Sequence, residues 1–217
     1  MKETTLRNAL RSSCTIACSF LTGITVLFSF ISNETSLQVQ NMTAVLSGCI
    51  LGGINGSSAA GLFIMAGILG IPVFPGFESG FAAFTSENGG WLWGFFTGAL
   101  VSGLIIKHPA PYEKAVPGTF IKAAAASAAG LAASYIPGLL WYLHSSGDSP
   151  CDILKSHILY LNIQVAKTAA CTVLTVFLRP PAARLMYPGL ESALKEQNEL
   201  MEKLKTYNQK KHRRSEK

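Results

Sequence analysis

Positions 35–77 form an uninterrupted stretch of 43 residues that contains no Asp, Glu, Lys or Arg. Two further uncharged stretches follow, 88–106 and 123–147, and only 14% of the whole chain is charged. A helix that crosses a bilayer needs about 20 mostly apolar residues, and an ordinary soluble domain is about 25% charged. These stretches predict an all-α, polytopic membrane protein. They argue against soluble globular, disordered and nucleic-acid-binding classes.

The uncharged stretches divide into six predicted transmembrane helices. Glycine and polar residues at 52–58 split the longest stretch into two short helices, and the Pro/Gly-rich apolar loop 70–77 ends the second of them. Such irregular backbone at membrane depth is tolerated only where it is buried in protein or lines a cavity. The predicted spans are about 10–31, 40–53, 58–70, 89–106, 119–143 and 159–178, the last ended by Arg179-Pro180-Pro181.

The basic residues predict the orientation of these spans. Of the 18 Lys and Arg residues, only Lys155 and Lys167 fall away from one side of the membrane in this arrangement. The positive-inside rule therefore predicts both termini in the cytoplasm, with the protein in the cell membrane. The net charge of +6 is explained by topogenic and lipid-facing residues rather than by nucleic acid. The predicted domains are 1–189, the six-helix unit, and 190–217, a basic cytoplasmic tail interpreted as a surface helix or a solvated segment.

Lys167 lies deep inside predicted span six, about two helical turns from its outer end. A charged side chain at the centre of a membrane helix costs roughly 2.5–3.5 kcal/mol, so an intramembrane lysine indicates a functional role. Snorkelling of the ammonium to the interface is the alternative. Gln164 lies one turn earlier on the same face and adds an amide donor and acceptor. Together the two residues predict a site for a small anionic solute with further hydrogen-bonding groups.

Glycine and aromatic residues are concentrated between positions 70 and 95. The glycines let the backbone approach a ligand closely. The rings that offer apolar walls are Phe74, Phe77, Trp91 and Trp93. We consider two interpretations of this segment, a cap that lies over a ligand and a tightly packed re-entrant turn.

The same segment carries a resemblance to a known family. The sequence 70–76, GIPVFPG, followed by Ser79-Gly80 and by 88–95, NGGWLWGF, resembles the signature of the BioY family. Upstream, 36–40, SLQVQ, and 46–52, LSGCILG, are similar to the loop after span one and to the second helix of that family. The resemblance extends from about residue 10 to residue 179. It implies a six-span, biotin-binding S component of an energy-coupling-factor (ECF) vitamin transporter.

The family also has a D-x-x-K motif that opens span six, where the acid and the lysine contact biotin. By its spacing from Tyr160 and from the end of the span, Gln164-Val165-Ala166-Lys167 occupies that place, with glutamine instead of the acid. A literal D-x-x-K at Asp152-Ile153-Leu154-Lys155 lies earlier, in the predicted outer loop, and is the second candidate. Ser36 and Gln38 stand where the family has proline and threonine.

The resemblance implies a set of ligand contacts. The carboxylate of biotin would pair with the lysine, the ureido ring would meet amide groups, and the bicyclic core would lie on aromatic rings. The predicted substrate-binding residues are Lys167, Gln164, Asn88, Gly89, Trp91, Phe74, Phe77, Gln40 and Tyr160.

The resemblance also implies partners. Such S components associate with a membrane coupling protein and two ATPase subunits, and this chain contains no G-x-x-x-x-G-K-[ST] sequence that would bind ATP. In the family, small residues four positions apart on span one form the docking face. Ala9, Ser13 and Ala17 have that spacing here, and packing of these residues inside the chain is the alternative.

Three functions are compatible with these features. The first is uptake of biotin, and the second is an S component for another small anionic vitamin, suggested by Gln164 in place of the acid. The third is a non-transporting membrane scaffold whose charged tail recruits cytosolic proteins, which gives Lys167 no role. The 5 cysteines form no C-x-x-C or Cys/His pattern, so no metal site is predicted. We likewise expect no cofactor and no enzyme activity.

Overall fold

The chain folds as a bundle of helices. The computed structural model describes residues 2–31, 33–86, 88–109, 117–145, 161–187 and 199–202, and these ranges contain helices and no named strand. The predicted all-α class is therefore confirmed. The helices are α1 (Lys2–Ile24), α2 (Asn33–Leu51), α3 (Gly53–Ile68), α4 (Gly80–Phe84), α5 (Gly89–Ile106), α6 (Pro117–Ser145) and α7 (Leu161–Met186), with 3₁₀ turns at Thr25–Phe30 and Pro75–Phe77.

Three helical segments are long and apolar enough to cross a membrane: Thr5–Phe30, Gly89–Ile106 and Gly118–Ser145. Leu37–Leu51 and Gly53–Ile68 are apolar but shorter, as the sequence predicts for the second and third spans. Helix α7 has 26 residues, which is sufficient by length, although its lysine and arginine side chains lower its hydropathy. The predicted span 89–106 coincides with α5.

The break between α2 and α3 is narrower than the sequence predicts. Only Gly52 separates the two helices, with φ 69° and ψ 156°, a conformation that favours glycine. A Cβ at this position would lie 2.2 Å from the carbonyl oxygen of Lys107, so the corner packs directly against the end of α5. The rest of the predicted break is helical, and there the Ser57 and Ser58 hydroxyls are satisfied by donating back to the Ile54 carbonyl inside α3.

The prediction that Arg179-Pro180-Pro181 ends the last span is wrong. Helix α7 continues through both prolines to Met186, although each proline removes a backbone donor. Burial of the residues that follow offsets this loss, since Ala183 and Met186 are each 1% exposed. Met186 packs in a cluster with Ile50, Leu51 and Ala59. Arg179 is itself buried rather than exposed at the cytoplasmic surface.

Small residues bring the central helices close together. A Cβ on Gly48 of α2 would lie 2.2 Å from the Ala99 carbonyl oxygen of α5, and one on Gly130 of α6 would lie 2.9 Å from the Gly98 carbonyl oxygen. Close backbone approach of this kind is the usual means of packing helices in a membrane. The contact places α5 against both α2 and α6, and α7 packs on α2 and α6.

Candidate functional site

Lys167 is buried within the bundle, with 7% of its side chain exposed. Its Nζ donates to Oε1 of Gln38 on α2, at 2.6 Å. Helix α7 contains no Asp or Glu, and no carboxylate among the described residues acts on this ammonium. The side chain therefore points to α2 rather than to the interface, and its positive charge is met by an amide dipole instead of an anion.

Gln164 and Tyr135 extend the polar group at Lys167 from α7 to α6. The Gln164 amide nitrogen donates to the Tyr135 hydroxyl, and Tyr135 also hydrogen-bonds with Gln38. The ring of Trp91 on α5 packs edge-on against Tyr135, with ring centroids 5.2 Å apart and planes at 84°. Helices α2, α5, α6 and α7 therefore converge on one polar cluster, which we define as Gln38, Tyr135, Gln164 and Lys167.

Buried amide oxygens without a hydrogen-bond partner lie on the helices that form this cluster. The Asn41 amide, one turn from Gln38 on α2, donates to Ser134 Oγ at 3.1 Å, and the Gln40 amide donates to the Val73 carbonyl at 2.8 Å. The amide oxygens without a partner are Gln40 Oε1, Asn41 Oδ1 and Gln164 Oε1, and the Thr175 hydroxyl on α7 also has none. A buried acceptor without a partner is costly, so this region offers hydrogen-bond acceptors that a ligand with N–H groups would satisfy.

A groove between α6 and α7 opens beside the polar cluster. It has a volume of about 430 Å³, within the range of roughly 300–1,000 Å³ that holds small-molecule ligands. Its walls are almost entirely apolar, with Gln164 as the member shared with the polar cluster. The lining residues are Phe120, Ala124, Ala128, Gln164, Val165, Thr168, Ala169 and Thr172.

The predicted aromatic residues of segment 70–95 do not share one environment. Phe74 is 1% exposed and packs on Phe63 in the apolar core, with ring centroids 5.8 Å apart. Phe77 is 38% exposed and packs on Phe30 at the end of the first span, at 5.0 Å. Trp91 alone among the predicted aromatic residues that the structure describes contacts the polar cluster. The packed-turn interpretation thus fits Phe74 best, and Phe77 retains an exposed face.

The remaining predicted site residues are found in different places. Asn88 has an exposed side chain at the start of α5, and the next residue, Gly89, is buried. A Cβ on Gly89 would lie 2.0 Å from the Phe84 carbonyl oxygen, so this glycine permits close packing. Gln40 is 0% exposed. Tyr160 and the literal motif 152–155 lie outside the described residues.

Sequence reasoning missed four polar residues of this region: Gln38, Asn41, Ser134 and Tyr135. Gln38 was noted only as a departure from the family pattern. The available signal was the spacing of Gln38 and Asn41, which lie three residues apart and so on one face of α2. Ser134-Tyr135 is a polar pair within the Ala/Gly-rich sequence of α6, but nothing in the sequence indicates that it faces α2.

Comparison with known sequences identifies one family that covers most of the chain. The sequence profile of the BioY family matches residues 2–184. A protein of Thermotoga maritima named biotin transporter BioY is 31% identical over 93 residues, which are 42% of this chain and 55% of that protein. A protein of Rhodobacter capsulatus with the same name is 28% identical over 118 residues, or 54% of this chain and 60% of that protein. The chain therefore spans little more than half the length of these curated relatives.

The fold is similar to one solved structure, the crystal structure of the S-component for biotin from an ECF-type ABC transporter. The TM-score is 0.63 with 18% sequence identity, and the similarity covers 79% of this chain and 93% of the other. At this identity the similarity shows the fold alone.

Proposed function

Because this chain belongs to the BioY family, we propose that it is a biotin-binding S component that takes up biotin across the cytoplasmic membrane. The family consists of transporter S components and not of enzymes, and the apolar helices make this chain a multi-pass membrane protein. The names of the two curated relatives support biotin as the ligand.

The single observation that carries this proposal is the buried ammonium of Lys167, which has no acidic partner in the part of the chain that the structure describes. A buried cation that is not neutralised by the protein favours binding of an anion, and biotin has one carboxylate. The ureido ring of biotin also has two N–H donors, which match the buried amide oxygens of Gln40, Asn41 and Gln164. We therefore assign the carboxylate to Lys167 and the ureido group to these amides, with the bicyclic core against Trp91.

A second small anionic vitamin remains the alternative ligand. The replacement of the family's acid by Gln164 supports it, because an amide both donates and accepts hydrogen bonds and so accepts a wider range of polar groups. The scaffold interpretation is disfavoured, since a membrane scaffold has no need of a buried lysine and three unpartnered acceptors. Competition between ligands separates the two transport hypotheses.

We expect the purified full chain to bind radiolabelled biotin at one saturable site. Excess unlabelled biotin should displace the label completely, whereas lipoate, nicotinate and pantothenate should not, because they lack the ureido group. Equilibrium binding in detergent measures this. Absence of saturable biotin binding, together with saturable binding of one of the other vitamins when that vitamin carries the label, would support the alternative ligand. Binding of none of them would contradict both transport hypotheses.

The proposed topology has six spans with both termini in the cytoplasm, which leaves the outer ends of α6 and α7 on the same side as the ligand. It is supported by the distribution of basic residues and by five apolar helical segments plus the long helix α7. The domain division, with residues 1–189 in the membrane unit and 190–217 as a tail, belongs to the same proposal.

Single cysteines at the two ends of α6 test this orientation. Gly118 and Ser145 both have exposed positions, so in a background without other cysteines Gly118→Cys and Ser145→Cys should each be reactive. A membrane-impermeant maleimide should label Ser145→Cys in intact cells and label Gly118→Cys only after lysis. The opposite pattern would reverse the topology.

We propose that energy for uptake comes from a membrane coupling protein and two ATPase subunits. The sequence has no P-loop of its own. The proposed docking face on α1 is supported by its exposure, since Ala9, Ser13 and Ala17 all face away from the bundle. The opposite side of α1 packs inward through Cys14 and Cys18, so the small-residue face is left free of intramolecular packing.

A further inference from the structure

Arg179 is a buried cation that the proposed binding site does not use. Its side chain is 1% exposed and reaches from α7 to the ends of two other helices. One guanidinium nitrogen donates to the Cys49 carbonyl at 2.5 Å, and the other donates to the carbonyls of Ile106 at 3.3 Å and Lys107 at 3.0 Å.

These carbonyls belong to helix ends that lack their usual partners. Carbonyls in the last turn of a helix have no intrahelical donor, and the helix dipole places partial negative charge there. Cys49 lies in the last turn of α2, Ile106 ends α5 and Lys107 follows it. Arg179 therefore satisfies acceptors at the ends of α2 and α5, whose partial charges stabilise its cation.

Cationic side chains of α7 thus contact α2 at two separate heights. The Lys167–Gln38 pair is separated by 129 positions in the sequence and the Arg179–Cys49 pair by 130. The nearly equal separation means that the two helices run in the same direction with one register. Along α7 the two contacts are about 18 Å apart at a rise of 1.5 Å per residue.

Between these two contacts neither helix carries a charged side chain. The helices meet there through small or apolar residues of one core cluster, among them Val45 and Cys171. Helices in a membrane gain little from hydrophobic association, so polar contacts and close packing set their positions. A shift of α7 by one residue would move Lys167 by about 1.5 Å along α2, which is enough to break the 2.6 Å hydrogen bond to Gln38.

We propose that Arg179 is a positioning residue that holds α7 in register with α2, so that the Lys167 ammonium stays where the ligand carboxylate meets it. This inference rests on the proposed function and makes ligand affinity depend on a residue near the other end of α7. Arg179 touches no ligand and acts through Lys167.

The test compares Arg179→Met with Arg184→Met, a control that removes an exposed arginine from the same helix. Affinities for biotin and for neutral biotin amide are measured on the full chain. Because a misplacement of about 1 Å can cost a large factor, Arg179→Met should lose biotin affinity by about three- to tenfold while changing amide affinity less than about twofold. Arg179→Lys should recover part of this loss. In a chain that already carries Lys167→Met, adding Arg179→Met should not change the ratio of the affinities for biotin and biotin amide any further.

A purely structural role predicts a different result. In that case Arg179→Met lowers the yield of folded protein, or it lowers the affinities for both ligands equally. The ratio of the two affinities then equals the ratio measured for Arg184→Met. That outcome would overturn the proposal.

A second measurement does not depend on any ligand. The Cys49 and Cys171 thiols are in hydrogen-bond contact between α2 and α7, so copper phenanthroline with oxygen should oxidise them to a disulfide in a variant without the other cysteines. Arg179→Met should slow this cross-linking relative to Arg184→Met, and an unchanged rate would contradict the register role. If the wild-type chain binds no biotin, the proposed function fails and the cross-linking alone decides the role of Arg179.

Discussion

Lys167→Met is expected to weaken biotin binding by at least about tenfold, because a charge-assisted hydrogen bond of about 1.5–3 kcal/mol is lost. Methionine keeps the length and the apolar stem of the side chain, so the variant removes the charge with little change in volume. The Gln38 amide oxygen, which accepts from Nζ, loses this donor at the same time. Titration with radiolabelled biotin measures the loss.

Biotin amide shows whether the lysine meets the carboxylate. The neutral analogue should bind wild type more weakly than biotin does and should lose little more in Lys167→Met, since non-additivity marks a direct pair. Lys122→Met is the matched control, because Lys122 is exposed at the start of α6, and its affinity should equal that of wild type. Equal losses for biotin and its amide in Lys167→Met would show that this lysine does not bind the carboxylate, and Lys155 would be tested next.

Phe74→Ala is expected to lower the free energy of unfolding by about 3–5 kcal/mol, the usual cost of removing a buried phenylalanine ring. The ring is in edge contact with Phe63 and fills a niche over Gly67, where a Cβ would lie 2.2 Å from Phe74 Cζ. Nothing in the core cluster replaces it. The apparent melting temperature in detergent should therefore fall clearly.

Phe77→Ala provides the comparison for this effect. Its ring is partly exposed and contacts Phe30 alone among the ring pairs of the described residues, so its removal should change the melting temperature much less. If Phe74→Ala unfolds at the wild-type temperature but binds biotin more weakly, the ring acts on the ligand and the cap interpretation is favoured. Equal destabilisation by the two variants would contradict the core assignment of Phe74.

The helical spans were predictable because charge and glycine patterns act locally. The uncharged run 88–106 coincides with α5, and Gly52 marks the corner between α2 and α3. Lys167 was also predictable, since a cation within an apolar helix is costly wherever its partners lie. Its burial inside the bundle agrees with the functional interpretation and not with snorkelling.

What the sequence did not predict depends on contacts between distant segments. Pro180 and Pro181 ordinarily end a helix, and only the burial of Met186 and Arg179 against α2, α3 and α5 shows why α7 continues. Gln38 and Tyr135 are unremarkable polar residues until α2 and α6 bring them to Lys167. The separate environments of Phe74 and Phe77 likewise follow from the path of the loop and not from its composition.

The proposed site has an electrical consequence. With a charged Lys167 and no carboxylate beside it among the described residues, the site would carry one positive charge when empty and none when an anion is bound. A transmembrane voltage therefore acts on movement of the empty site, at about 2.3 kcal/mol per charge for 100 mV, and leaves movement of the loaded site nearly unaffected. In a cell with a negative interior, the voltage would oppose the return of the empty site to the outer side. Inward delivery of the bound anion would be nearly independent of the voltage.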